Sequence, residues 1–135
     1  EYWTAFNKMQ THAKENTRLG NLAKATLGSL SESIKMSYKN ISEDKGYTSA
    51  QKGLFFKVAH LAYPGNPSTP CVAAFFYAQA KDKTQALAML SEAAKLGFNE
   101  PEAITKEKEF EFLKDDPEII KIFAIITQNK ATPKK

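Results

Sequence analysis

The sequence predicts an all-α protein built from antiparallel helical hairpins. Apolar residues recur three or four positions apart along most of the chain, which is the spacing of one helical face, and no convincing alternating strand pattern occurs. Prolines, glycines and capping residues divide the chain into six or seven helices with short connections, the usual organisation of helical hairpins.

Length and composition favour one soluble globular domain over residues 1–135. The apolar fraction of 42% and the charged fraction of 25% are ordinary for such proteins, and 135 residues are enough to bury a core. No apolar run approaches the roughly 20 residues of a membrane helix. The single cysteine cannot form an internal disulfide.

Residues 1–47 are predicted to form an N-terminal helical section. One apolar face begins the chain, with Trp3 beside it, and a second stripe follows after a polar break at residues 15–18 and a glycine breaker at residues 20–21. We expect two helices here, with one long helix as the alternative, and we expect Gly28 to mark close helix packing. The first face comprises Tyr2, Phe6, Met9 and Ala13, and the stripe Leu19, Ala23, Leu27, Leu30, Ile34, Tyr38 and Ile41.

Residues 48–98 contain clear helix boundaries. Thr48 and Gln51 have capping-box spacing and open a helix that must end before Pro64. Thr69 and Pro70 have the character of a cap and a first-turn proline for the next helix. A hairpin of helices over about 70–81 and 84–96 follows.

The hairpin carries small residues where its two helices would touch. The residues at its most informative positions are Ala74, Tyr77, Ala86, Leu90 and Ala93. With these spacings the segment from Cys71 to Phe98 resembles one tetratricopeptide repeat, and Gly97 suits the left-handed residue that ends such a helix.

A second, imperfect repeat precedes this hairpin at the family's period of about 34 residues. Phe56 stands 34 positions before Leu90, and Ala59 stands 34 before Ala93. Lys52 occupies a position where a small residue is expected, although Gly53 is adjacent.

Residues 99–135 are predicted to be capping helices and a frayed tail. A short acidic helix, the Asp116-Pro117 turn and a final apolar helix are similar to the terminal segment of many bacterial tetratricopeptide proteins. The resemblance covers roughly residues 48–127. It implies a short right-handed array of hairpins, to which the N-terminal section is added.

The resemblance also implies a function, because such hairpins usually bind other proteins. We expect a non-catalytic scaffold that binds a peptide or partner helix, without cofactor or metal. In the repeat family the first helix of each hairpin faces the groove, and here that register selects Cys71, Phe75, Ala78 and Gln79.

Two alternatives remain open. The first is a small-molecule-binding or enzymatic helical domain with an aromatic-lined pocket near Trp3, Phe55 and Tyr77. The second is an accessory domain of a longer polypeptide. The chain begins at Glu1 rather than at methionine, which fits either an exported mature protein, the favoured interpretation, or a fragment.

The sequence lacks the patterns of familiar active sites. His12 and His60 are far apart and match no metal-ligand spacing, and Cys71 is expected to be a structural thiol, although a helix N-terminus could lower its pKa. The net charge is +4, while residues 99–118 carry eight acidic and three basic residues, which we interpret as a solvated face. Nucleic-acid binding is not expected, because no arginine cluster accompanies the lysines.

Overall fold

A computed structural model describes the backbone of residues 2–62 and 64–132, and the side chains of these residues except 2, 3, 30–36, 38 and 39. Over these residues the protein is helical, with seven α-helices, one 3-10 helix and no strand. The predicted all-α array of antiparallel hairpins is confirmed. The elements are α1 (Tyr2–His12), α2 (Arg18–Glu43), α3 (Ser49–Ala62), α4 (Ser68–Gln79), α5 (Lys83–Lys95), α6 (Glu102–Thr105), the 3-10 helix (Lys108–Leu113) and α7 (Pro117–Ala131).

Some predictions fall on residues outside this description. They concern part of the N-terminal apolar face, part of the second stripe, the end of the helix before Pro64 and the last residues of the tail. The side chains involved are those of Tyr2, Trp3, Leu30, Ile34, Tyr38 and Tyr63, and the tail residues are 133–135.

The N-terminal section forms two helices rather than one. Thr17 caps α2 by accepting a hydrogen bond from the Gly20 amide at 3.0 Å. Gly20 lies inside the first turn of α2, where a Cβ atom would stand 2.1 Å from the carbonyl oxygen of Glu15. The glycine therefore permits a close approach of the backbone and does not break the helix.

The N-terminal section contacts the rest of the protein through α3. The side chain of Phe6 is half-buried and packs against Ala59 and Ala62. The amide of Gln10 donates to the carbonyl of Leu61, near the end of α3. These contacts fix α1 beside the hairpins.

The predicted start of α3 and the predicted end of α5 are both confirmed by their hydrogen bonds. The Gln51 amide donates to the Thr48 hydroxyl at 3.2 Å, and the Thr48 amide donates to the Gln51 side chain at 2.9 Å, which is the reciprocal pattern of a capping box. Gly97 has a φ of 93°, and the Phe98 amide donates to the carbonyl of Ala93 at 2.9 Å. Left-handed glycine with this bond closes α5.

One predicted helix start is confirmed, and another is confirmed for its proline but wrong for its cap. Asp116 caps α7 by accepting from an amide of the first turn at 2.8 Å. Helix α4, by contrast, begins at Ser68, whose amide donates to the Asn66 side chain at 2.9 Å. Thr69 therefore lies inside the first turn and is not the cap, because the Asn66 side chain already satisfies an amide at the helix start. Pro70 is a first-turn proline, as predicted, and both residues are buried.

The hairpin residues identified from sequence lie in the protein interior. Ala74, Ala86, Leu90 and Ala93 are fully buried and Tyr77 nearly so. Small side chains at these positions let α4 and α5 approach closely, while the larger ones fill the space beside them. The buried core continues into the last part of the chain through Phe98, Ile104, Phe110, Leu113, Ile119, Ile122 and Ile126.

Close helix packing occurs at Gly53 and not at Gly28. Gly28 is exposed, and a Cβ atom there would meet none of the described atoms within 4 Å, so the prediction of close packing at this position is wrong. At Gly53 a Cβ atom would lie 3.0–3.1 Å from three ring atoms of Tyr77. The ring of Tyr77 packs directly on the α3 backbone, which explains why a residue without a side chain is required there.

Residues 99–131, here called the closing segment, are attached to α5 at one end. The Asn129 side chain donates to the carbonyls of Ala94 at 2.9 Å and Phe98 at 3.0 Å. Lys130 pairs with Glu102, which connects α7 to α6. These bonds hold the end of α7 over the end of α5.

The other end of the closing segment is held at the α4–α5 turn. Lys81 adopts a left-handed conformation with a φ of 60°, and its ammonium lies 4.5 Å from the ring centroid of Phe112. Lys83 pairs with Asp116, the cap of α7. The closing segment is therefore positioned at both ends of the α4–α5 hairpin.

Candidate functional site

The four residues predicted to line a groove on α4 offer little open surface together. Phe75 is half-buried and meets Phe110 of the closing segment edge-on, with ring centroids 6.4 Å apart. Ala78 is fully buried, whereas Gln79 is exposed and accepts from the Ser49 hydroxyl at 2.7 Å. The 3-10 helix covers part of this face, and a role for these residues in binding stays a prediction.

The fourth of these residues, Cys71, is a poor nucleophile. The thiol is half-buried, and burial together with the nearby charge of Glu100 raises the pKa of Cys71 to about 12. Since the thiolate is the reactive form, this thiol stays protonated near neutral pH. The helix N-terminus does not lower its pKa as the sequence allowed.

A cleft of about 590 Å³ lies elsewhere, between α7 and the segment formed by α6 and the 3-10 helix. The floor is apolar, and lysine and glutamate side chains form the rim. Its lining residues are Ile104, Thr105, Lys106, Glu107, Lys108, Phe110, Glu111, Lys114, Ile119, Ile120 and Phe123.

The apolar floor leaves one large side chain open to solvent. Ile119 is 4% exposed and belongs to the core, whereas its neighbour Ile120 is 58% exposed. Phe123, one turn further along α7, is half-buried. Ile120 and Phe123 lie three residues apart, so both side chains face the cleft from the same side of the helix.

Sequence reasoning did not identify this cleft, although α7 carries a signal for it. Adjacent residues on a helix lie about 100° apart, so on a helix at the protein surface one of two neighbouring isoleucines can face away from the core. The pair at 119 and 120 therefore permits an apolar side chain outside the core, as does the pair at 125 and 126, whose exposed member does not line the cleft.

The rim contains three lysines and two glutamates: Lys106, Lys108, Lys114, Glu107 and Glu111. Among the described residues, no carboxylate lies within 4.0 Å of any of these three ammonium groups. The rim charges are thus exposed to solvent and available to a ligand.

The aromatic pocket expected from the sequence is not where the cleft lies. Tyr77 is buried against Gly53, and Phe55 packs edge-on against Phe56 with centroids 5.2 Å apart. The side chain of Trp3 lies outside the described residues. Neither Phe55 nor Tyr77 lines the cleft.

His60 is a buried titratable group on α3. Its residue is 5% exposed, its Nδ1 has no hydrogen-bond partner among the described atoms, and its Nε2 lies 4.0 Å from a carboxylate oxygen of Glu92. Burial lowers the pKa of His60 from its ordinary value of 6.5, and the charge of Glu92 opposes this only in part. The folded protein therefore favours the neutral imidazole.

This burial makes a prediction about pH. Below about pH 6.5 the unfolded chain takes up a proton at His60 more readily than the folded protein, so the free energy of unfolding should fall on acidification, by at most about 1.4 kcal/mol per pH unit from this residue. Well above pH 6.5, His60 is neutral in both the folded and the unfolded protein, and it causes no further change of the free energy of unfolding with pH. Urea unfolding at a series of pH values measures the slope.

The test variant is His60→Gln, compared with the wild type over the same pH series. Glutamine does not titrate, so His60→Gln should flatten the slope between about pH 7 and 5 even if it lowers stability throughout. If the free energy of unfolding of His60→Gln depends on pH as steeply as that of the wild type, burial of His60 is not the cause of the pH dependence.

Three observations complete the description of the site. Within the described residues, no group of three or more histidines, cysteines or acidic residues could hold a metal ion. No helix in that part of the chain is long and apolar enough to cross a membrane. Comparison with protein-family models, with curated proteins and with solved structures finds no match to this chain.

Proposed function

We propose that this protein is a non-catalytic protein-interaction module whose cleft binds an apolar side chain of a partner segment. The observation that carries the proposal is the cleft itself, with an apolar floor and an exposed Ile120. Peptides and partner helices commonly bind by placing an apolar anchor in such a groove. The resemblance to tetratricopeptide proteins, many of them bacterial, supports the same class of function and is part of the proposal.

The energetics of an anchor are adequate for specific binding. Complete burial of a leucine or phenylalanine side chain contributes about 1.5–3 kcal/mol. Anchors that fill a pocket account for most of the affinity in many interfaces. The surrounding lysines and glutamates then form a polar rim.

The titratable groups also favour binding over catalysis. Cys71 and His60 are shifted toward their neutral forms by burial, and neither lines the cleft. The charged groups that do line it are side chains of lysine and glutamate at the surface. Such flexible groups are poorly suited to hold a reacting atom in place.

Substituting Ile120 tests the proposal. A partner is first identified by capture from the native organism, then purified, and its affinity is measured for the wild type and for Ile120→Asp. A charge in the apolar cleft should weaken binding by about tenfold or more, because it removes an anchor contact and buries a carboxylate.

Two controls make the result specific. Ile125 is 43% exposed on the same helix but does not line the cleft, so Ile125→Asp should bind like the wild type. The double variant Phe75→Ala with Gln79→Ala tests the α4 face. Loss of binding in that double variant, with Ile120→Asp unaffected, would move the function to α4 and reject the cleft.

The size of the cleft favours a second candidate function, the binding of an apolar small molecule. Its volume of about 590 Å³ lies within the range of about 300–1,000 Å³ that is typical of small-molecule sites. Native mass spectrometry of the protein purified from its own organism tests this candidate. A bound mass that is present in Ile125→Asp and absent in Ile120→Asp would support it.

A further inference from the structure

We infer that the rim of the cleft is an anion subsite, and that the partner segment presents a carboxylate beside its apolar anchor. The inference rests on the proposed protein-binding function and specifies the chemistry of the partner. It is carried by the placement of charge around the cleft.

The three lysines of residues 99–118 all lie at the cleft. Residues 99–118 carry eight acidic and three basic residues, and all three basic residues, Lys106, Lys108 and Lys114, line the cleft. Only two of the eight acidic residues, Glu107 and Glu111, do so. The lining is therefore net positive by one charge within a stretch that is net negative by five.

Two nearby carboxylates already have other partners. Glu102 accepts a hydrogen bond from Lys130, and Asp116 pairs with Lys83. These bonds hold the pKa of Glu102 and of Asp116 below the ordinary range. The charge of Lys106 lowers the pKa of Glu102 further. The rim lysines thus have no close ion-pair partner within the described residues and can meet a carboxylate from outside.

The surroundings limit how much negative charge the partner can carry. Six acidic residues of the same stretch lie outside the lining: Glu100, Glu102, Glu109, Asp115, Asp116 and Glu118. A long acidic segment or a nucleic acid would be repelled by them, whereas one carboxylate next to an apolar side chain meets mainly the rim. The structure therefore favours a short apolar segment with a single acidic residue.

Three capped dipeptides probe this chemistry in the full-length protein: N-acetyl-phenylalanyl-glutamate amide and its glutamine and lysine analogues. Binding is followed by the NMR shifts of the backbone amides of residues 104–111 and 119–123. The glutamate probe should bind about two- to fivefold more tightly than the glutamine probe, and the lysine probe most weakly, since exposed ion pairs contribute modestly.

Salt separates the charge effect from the apolar one. Raising the ionic strength from about 0.01 to 0.15 M shortens the Debye length from about 30 to 8 Å. The advantage of the glutamate probe should shrink accordingly, while binding of the glutamine probe should hardly change.

Lysine variants test whether the preference for the glutamate probe comes from the rim. Replacing Lys106, Lys108 and Lys114 together with glutamine should abolish the preference for glutamate and keep the glutamine probe bound. Lys121→Gln, on the exposed surface of α7 outside the lining, should behave as the wild type.

The outcomes distinguish the inference from the function on which it rests. Equal binding of the glutamate and glutamine probes overturns the anion subsite and leaves the apolar cleft intact. Saturable binding of dodecanoate below its micelle concentration, with no binding of any dipeptide, makes the cleft a lipid site and overturns the peptide assignment. No shift at the cleft with any of these probes rejects the proposed function as well.

Discussion

Replacing Phe56 with alanine is expected to lower the free energy of unfolding by about 3–5 kcal/mol. The side chain is fully buried, and its ring stacks on Phe76 at a centroid distance of 5.5 Å. Truncation removes apolar contacts between α3 and α4 and leaves a cavity that the surrounding helices can fill only in part. Urea or thermal unfolding measures the change.

The control for this experiment lies on the same helix. Leu54 is 46% exposed, and Leu54→Ala should change stability by no more than about 0.5 kcal/mol. Similar losses in the two variants would mean that the α3–α4 interface is not the core of the protein. A loss below about 1 kcal/mol in Phe56→Ala would lead to the same conclusion.

Gly53→Leu should have the second large effect. Even the Cβ atom would stand 3.0–3.1 Å from the Tyr77 ring, and the rest of the leucine side chain has no space between α3 and α4. Overpacking of this kind costs about 1–3 kcal/mol or more, which exceeds the gain of about 1 kcal/mol from replacing a helical glycine.

Gly28→Leu is the matched substitution. A Cβ atom there meets none of the atoms that the structure describes within 4 Å, and the position is exposed within α2, so only the gain in helix propensity applies. Circular dichroism with thermal unfolding should place Gly28→Leu at or above the wild type and Gly53→Leu clearly below it. The opposite order would contradict the packing of Tyr77 on α3.

Features that depend on a few neighbouring residues could be predicted from the sequence. The Thr48–Gln51 capping box, the left-handed Gly97 and the Asp116 cap each involve bonds within one helical turn. The residues that form these bonds are close together in the sequence, so the sequence alone predicts them.

Features that depend on distant contacts were harder to predict. The 34-residue period directed attention to Lys52 as the position for a small residue, yet the close contact is made by its neighbour Gly53. The contact depends on where the Tyr77 ring of α4 meets α3. The ring meets α3 one residue after the position that the period indicates. Gly28 shows the converse, since a glycine in an apolar stripe need not face a partner.

The cleft was missed for the same reason. Its floor joins Ile104 and Phe110 to Ile119 and Ile120, which come from three different elements around the cleft. Only the adjacent isoleucines gave a local signal. The face of α4 was identified from its register, but sequence reasoning did not anticipate that Phe110 would contact Phe75.

The central claim is that the cleft between α7 and the segment of α6 and the 3-10 helix is the binding surface. Hydrogen–deuterium exchange of the full chain, alone and with a captured and purified partner, tests it most directly. We expect slower exchange on binding in residues 104–111 and 119–123, and no such change with Ile120→Asp. Slower exchange confined to α4, or to residues outside the cleft, would contradict the claim.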